Sequence, residues 1–307
     1  MRGTSRSRAV AGARFAAMLL AGVAMSAFGS ASAQDSDDEI VVTGTRVANR
    51  SALSTAAPVD VISADTLSQL GVTEVNQALS VALPSYNFPR PGLADGTDTI
   101  RPATLRGLAP DQTLVLVNSK RRHASALVNV NGTIGRGAAA VDLNTIPTAA
   151  VRSIEVLRDG ASAQYGSDAI AGVLNLLLRE NNSGGGINLT YGQRVTTVST
   201  LVAPVPVGAN WSVADLATRD VTDGETTTVS GWIGLPLGDN GFLTIAGEYL
   251  DQAKTIRTAP DWRQQYALIA GNFDPREASF QRLNAWYGEP ELVQYTLFAN
   301  AGAPVHC

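Results

Sequence analysis

The chain has 307 residues, a formal net charge of -4 and one cysteine; 45% of it is hydrophobic and 16% charged. Those figures exclude a collagen-like repeat, an acidic tail and a disulfide scaffold, and 23 basic against 27 acidic residues leave no basic footprint for nucleic acid. Low charge with 29 glycines suits a strand-rich, partly lipid-facing chain, and past the N-terminus no apolar stretch reaches the length of about 18 residues that an inner-membrane helix requires.

Arg2, Arg6, Arg8 and Arg14 come first, then an apolar run from Phe15 to Phe28 and the small residues Ala31, Ser32 and Ala33. A basic start, a short apolar centre and a small-residue cleavage site make residues 1–33 a secretory signal, with the mature chain starting at Gln34. Asp35, Asp37 and Asp38 are too charged to pack. Glu39, Ile40, Val41, Val42, Thr43 and Gly44 follow, and their β-branched run favours extended backbone with both edges unpaired. Such a strand is a liability unless another protein pairs with it, so residues 34–50 read either as a segment offering a strand to a partner or, over 39–46, as the first strand of the domain.

Residues 51–183 alternate short strands and short helices. Pro58 to Ile62 is a strand, and Ser63 caps a helix carrying Leu67 and Leu70 that stops at Gly71. Thr73 is the expected cap of a second helix, in which Val75, Ala78, Leu79 and Ala82 recur on one face until Pro84. Thr104 to Leu108 and Thr113 to Val117 are strands, and Asn118-Ser119 is a two-residue hairpin signal. Pro147 opens a short helical turn, Ile154 to Leu157 is a strand, Ala161 to Tyr165 is a short helix, and Val173 to Leu178 is a buried strand. The expectation is a small α+β globule, with Gly107, Gly160, Gly166 and Gly172 serving backbone geometry. The Gly132–Gly137 stretch has the wrong glycine order for a dinucleotide fingerprint.

From 184 to 307 the composition shifts. Nine of the eleven Trp and Tyr residues lie here, where membrane interfaces and binding loops would use them. Ile187, Leu189 and Tyr191 alternate with polar or small residues, as do Val229, Ile233, Leu235 and Leu237, and on a return strand Leu243, Ile245 and Tyr249. The turn Gly238 to Gly241 is tight, whereas the connections expected at about 196–223 and about 254–296 are long. That rhythm is the one a transmembrane antiparallel β-barrel has.

Several of these strings resemble TonB-dependent outer-membrane receptors. The segment EIVVTGTR at 39–46 looks like a TonB box, which would place residues 34–50 in the periplasm. The strings APVDVISADTLSQLGVTEVNQAL at 57–79, TLRGL at 104–108, TLVLVNSKRR at 113–122 and VDLNTIPTAAVRSIEVLRDGASAQYGSDAIAGVLN at 141–175 resemble the receptor plug domain. The fold implied is an α+β plug domain followed by the start of a transmembrane antiparallel β-barrel. Such a barrel needs about 22 strands of roughly 10 residues, more than residues 184–307 supply, so the chain is expected to be the N-terminal part of a longer receptor.

The resemblance implies a transporter and not an enzyme. A scarce nutrient (a siderophore-type iron complex, cobalamin or an oligosaccharide) would be imported by energy-coupled plug movement at the bacterial outer membrane. TonB with ExbB and ExbD, outer-membrane lipid and the cargo would be the partners. Arg106, Glu155, Arg158 and Asp159 would hold the plug to the barrel wall. Through loops 86–101 and 121–137, Arg90, Arg101, Arg121, His123, Asn129 and Arg136 would face the cargo. No cofactor is expected, no catalytic constellation stands out, and His123, His306 and Cys307 lack the spacing of metal ligands. The rival reading is a secreted β-rich carbohydrate-binding module or enzyme.

Overall fold

The computed structural model describes residues 40–41, 43, 50–51, 59–70, 74–88, 96, 100–130, 134–201, 216–257, 261, 263–272, 274–280 and 287–303. The secretory signal, Glu39, Val42, Gly44, Thr73, Arg90, His306 and Cys307 lie outside them.

β1 (Ile40–Val41) pairs antiparallel with β2 (Arg50–Ser51). The strand expected to have two open edges therefore uses one of them on its own chain, because its bare N–H and C=O groups find a partner nine residues downstream of Val41. β3 (Val59–Ser63) runs into α1 (Ala64–Gln69), where Ser63 Oγ accepts the Thr66 N–H at 3.3 Å. α2 (Val75–Ala82) buries Val75, Ala78 and Leu79, the face read from the sequence, and ends with the Leu83 N–H on the Leu79 carbonyl, just before Pro84.

β4 (Tyr86–Asn87) pairs with β5 (Thr104–Leu105). The strand expected over 104–108 stops after two residues, because Arg106 (φ 57°) and Gly107 (φ 72°) turn the chain, and Asn87 Oδ1 accepts the Gly107 N–H at 2.7 Å. β6 (Thr113–Val117) and β7 (Lys120–Arg121) form the expected hairpin. Asn118 and Ser119 both take positive φ, 47° and 61°, as a two-residue primed turn demands.

After two 3-10 turns at Leu143–Thr145 and Thr148–Ala150 come β8 (Val151–Leu157), α3 (Ser162–Tyr165) and β9 (Gly172–Leu178). The sheet order is β3-β8-β9-β6-β7, with β6 and β9 parallel and the other pairs antiparallel. β9 is buried at every position, which is why it reads as a near-continuous apolar run. Leu79, Leu105, Leu143, Ile154, Leu174 and Leu176 form the centre of the core.

The remaining strands, β10 (Gly185–Leu201), β11 (Leu216–Leu237), β12 (Gly241–Gln252) and β13 (Leu292–Gly302), make a four-stranded antiparallel meander in chain order. Among the described residues this sheet is open. Its outer face is apolar: Ile187, Leu189, Tyr191, Tyr295 and Leu297 are 64 to 80% exposed. Thr228, Ser230, Thr244 and Ala246, on the opposite face, are buried. β10 and β11 run well into the region expected to be a loop, and β13 starts at 292, before the expected end of its loop. Thr and Val pairs such as Val195 with Thr222 carry β10 and β11 onward; a ribbon with no single buried face has no alternation to read.

Candidate functional site

The α+β globule packs on the inner face of the meander through Ala246, Trp232 and Phe298, which join its core, and through polar contacts. Asn144 Nδ2 donates to Gln294 Oε1 at 2.7 Å, and Gln294 Nε2 donates to the Asn144 carbonyl at 2.6 Å. Thr148 Oγ1 donates to Glu248 Oε2 at 3.4 Å. Asn181 and Thr244 exchange bonds of 3.0 and 3.1 Å, and Asn300 Nδ2 donates to the Arg179 carbonyl at 2.9 Å. The Arg179 guanidinium lies 4.6 Å from the centre of the Trp232 ring, a cation–π distance. The 3-10 turns ahead of β8 supply Asn144 and Thr148, and the residues just after β9 supply Arg179 and Asn181. Sequence reasoning missed these residues. The signal was there in β12 and β13, where Thr244, Glu248 and Gln252, and Gln294, Thr296 and Asn300, recur at even spacing on the face opposite the apolar one.

The partners described for the four residues expected to hold the plug to the barrel lie within residues 51–183 and at Thr43. Arg106 Nη1 donates to the Arg158 carbonyl at 3.2 Å and lies 3.9 Å from Asp159. Arg158 Nε is 2.6 Å from Asp60 Oδ2, because the β3–β8 register sets Asp60 opposite Val156, close to the end of β8. Glu155 is fully buried. Its Oε2 accepts the Thr43 N–H at 2.8 Å, the Thr43 hydroxyl and, at 3.4 Å, Asn175 Nδ2.

The expected cargo-facing residues are not brought together. Arg101 is only 5% exposed and sits 3.1 Å from Glu74 Oε1, with its N–H on Asp142 Oδ1 at 2.9 Å. Asn129 is 1% exposed. Both are interior residues, a correction to their expected place at a ligand-facing apex: each sits where the chain folds back on itself, at Asp142 and at Ala138. Arg121 pairs with Asp168 and donates to the Tyr165 carbonyl at 3.0 Å, Arg136 Nε donates to the Val130 carbonyl at 2.9 Å, and His123 is exposed. Elsewhere in the plug, the Tyr86 hydroxyl donates to Asn76 Oδ1 at 2.5 Å, and burial pushes its phenol well above the usual range. Among the described residues no cluster of three or more His, Cys, Asp or Glu is placed to hold a metal ion.

Two ion pairs tie β10 and β11 to the connection between β12 and β13. Arg194 on β10 reaches Glu289 at 2.5 Å, and Arg257 holds Asp223 of β11 with two bonds of 2.7 and 2.8 Å. The Arg257 guanidinium keeps the Asp223 carboxyl below the ordinary carboxylate range.

Residues 51–173 match the family model of the TonB-dependent Receptor Plug Domain. Solved structures similar to the chain include a mutant of the ferric enterobactin receptor PfeA of Pseudomonas aeruginosa in complex with enterobactin (21% identity, TM-score 0.44, 64% of this chain and 25% of that one). The siderophore receptor PirA of Acinetobacter baumannii (25%, 0.41, 63% and 24%) and the ferric yersiniabactin uptake receptor FyuA of Yersinia pestis (18%, 0.35, 68% and 33%) are similar in the same way. The chain thus spans between a quarter and a third of the length of these receptors. Residues 51–173 of this chain are a plug domain of the TonB-dependent receptor family.

Proposed function

We propose that the chain is part of a ligand-gated outer-membrane importer, in which residues 1–33 direct secretion, 34–50 couple to TonB, 51–183 plug the pore and 184 onward begin the barrel wall. The observation that carries this reading is the two-faced meander: its polar side is hydrogen-bonded to a plug domain and its other side is bare and apolar. On β12 the outward positions run Leu243, Ile245, Gly247 and Tyr249, and then Asp251, whose Oδ2 accepts the Tyr249 hydroxyl at 3.1 Å. The Tyr295 ring of β13 packs 5.0 Å from Tyr249. An apolar band topped by tyrosines and then by charge is the profile of a strand leaving a membrane, and the stretch from Gly241 to Asp251 has the length of about 9–11 residues that a tilted crossing needs.

In this reading cargo binds from outside, TonB pairs with the strand around Ile40 and Val41, and traction on that strand moves the plug. A siderophore-type iron complex is the proposed cargo class, on the strength of the family alone. ExbB and ExbD would energise TonB. Arg106, Arg158 and Asp159 are proposed to face the barrel wall, and Arg121, His123 and Arg136 to face the ligand.

The test uses the full gene product. It is expected in the outer-membrane fraction with heat-modifiable gel mobility; a soluble periplasmic or secreted product would refute the reading. Val41→Pro removes a backbone donor from the coupling strand and is expected to abolish TonB-driven uptake with cargo binding retained. Uptake that survives the substitution would sink the coupling role.

A further inference from the structure

β8 and β9 each bury a large polar side chain at a position an apolar residue would fill more simply. Glu155 and Asn175 are register partners across the two strands and both are 0% exposed. A buried carboxylate costs stability unless it is hydrogen-bonded, and a packed apolar pair is often the more stable choice. The donors that meet this carboxylate come in part from far along the chain. Thr43, 112 residues earlier, gives Glu155 Oε2 both its N–H, at 2.8 Å, and its hydroxyl. Asn175 Nδ2 donates to Thr43 Oγ1 at 3.0 Å, and Asn175 Oδ1 accepts the Ser119 N–H at 3.0 Å. Thr43 is itself 1% exposed and lies between β1 and its partner β2.

We propose that Glu155 and Asn175 form a latch that fastens the coupling segment to the plug sheet through Thr43, so that the segment must be unlatched before a partner strand can pair with it. Glu155 is then a positioning residue for the coupling strand. This rests on the coupling reading given above, but the latch itself is a property of the chain alone. The geometry divides the work: β2 occupies one edge of β1, and Glu155 holds the connecting residue down in the sheet. A partner strand therefore meets a segment held at two points.

Hydrogen exchange at the Thr43 amide, on the whole chain in detergent micelles, reads the latch directly. Glu155→Gln keeps the shape and removes the charge, and Thr43→Val removes the hydroxyl and leaves both sheet residues in place. Each is expected to accelerate Thr43 exchange on the order of tenfold, the worth of weakening one charge-assisted bond, with the Val115 amide of β6 unchanged. Should Glu155→Gln speed both amides, the sheet has loosened and Thr43→Val decides. Unaltered Thr43 exchange in Thr43→Val would overturn the latch. Binding of the purified periplasmic domain of TonB separates the two claims. Glu155→Gln is expected to raise that binding several-fold; unchanged binding alongside faster exchange would overturn the gating role. No binding to either form, with the exchange effect intact, would leave the latch standing and refute the coupling reading.

Discussion

Gly172 is the point at which the plug sheet tolerates least. It opens β9 with φ +141°, and a Cβ built there would lie 2.4 Å from the Leu157 carbonyl oxygen and 3.1 Å from Leu105 Cδ1. Gly172→Ala combines two costs. A side chain in that backbone region costs on the order of 1–3 kcal/mol. Moving β8 and β9 apart by about 1 Å to restore ordinary contact disturbs a packed core by roughly another 1–3 kcal/mol. The sum, about 2–6 kcal/mol, is a large share of a domain stability of roughly 5–15 kcal/mol and corresponds to a fall in melting temperature of roughly 10–30 °C. Gly107 is the built-in comparison: its φ is +72° but nothing lies within 4 Å of its Cβ position, so Gly107→Ala is expected to cost about 1 kcal/mol and a few degrees. Thermal unfolding of the two variants and the parent, followed by far-UV circular dichroism, measures the difference. Equal losses would refute the argument that close approach to Leu157, and not glycine's φ alone, sets the junction. The point matters for the site, because the register that places Val173 opposite Leu157 also places Asn175 opposite Glu155.

Arg101→Leu is expected to destabilise the plug by about 3 kcal/mol, because it takes the guanidinium from the buried Glu74 carboxylate; cargo affinity of the fraction that remains folded should match the parent, and a selective loss of affinity would return Arg101 to the ligand surface. The Asp223–Arg257 pair makes a signed pH prediction. Its carboxyl pKa is lowered in the folded chain, so the stabilisation is present above the unfolded value of about 4 and is lost as pH falls through the folded pKa. The stability difference between the parent and Asp223→Asn should hold constant above about pH 4 and shrink below it; a difference that ignores pH across that range would count against the pair.

Much of the plug was legible because its signals are local. The apolar face of α2, Pro84 at its end, the Asn118-Ser119 turn and the apolar run of β9 each depend on residues within a few positions of one another. The outer face of the meander was legible for a similar reason, since Ile187, Leu189 and Tyr191 repeat at the period of a strand. Where local rules stopped, so did the reading. Leu105 looked able to continue its strand until Arg106 took a positive φ, and the extended ends of β10 and β11 offered no alternation.

The sequence by itself determined the order of the elements, the α+β plug, the two-faced strands after it and the family resemblance, because propensity, period and turn chemistry act over a few residues. Only the tertiary structure decided which polar residues meet. Arg101 became an interior partner of Glu74, Asn144 and Thr148 became the plug's grip on β13 and β12, and Thr43 found Glu155 across 112 residues of chain. The physical reason is common to all of them: burying a polar group is costly until a donor or acceptor meets it, and which group arrives depends on how strands register in space and not on neighbours in sequence.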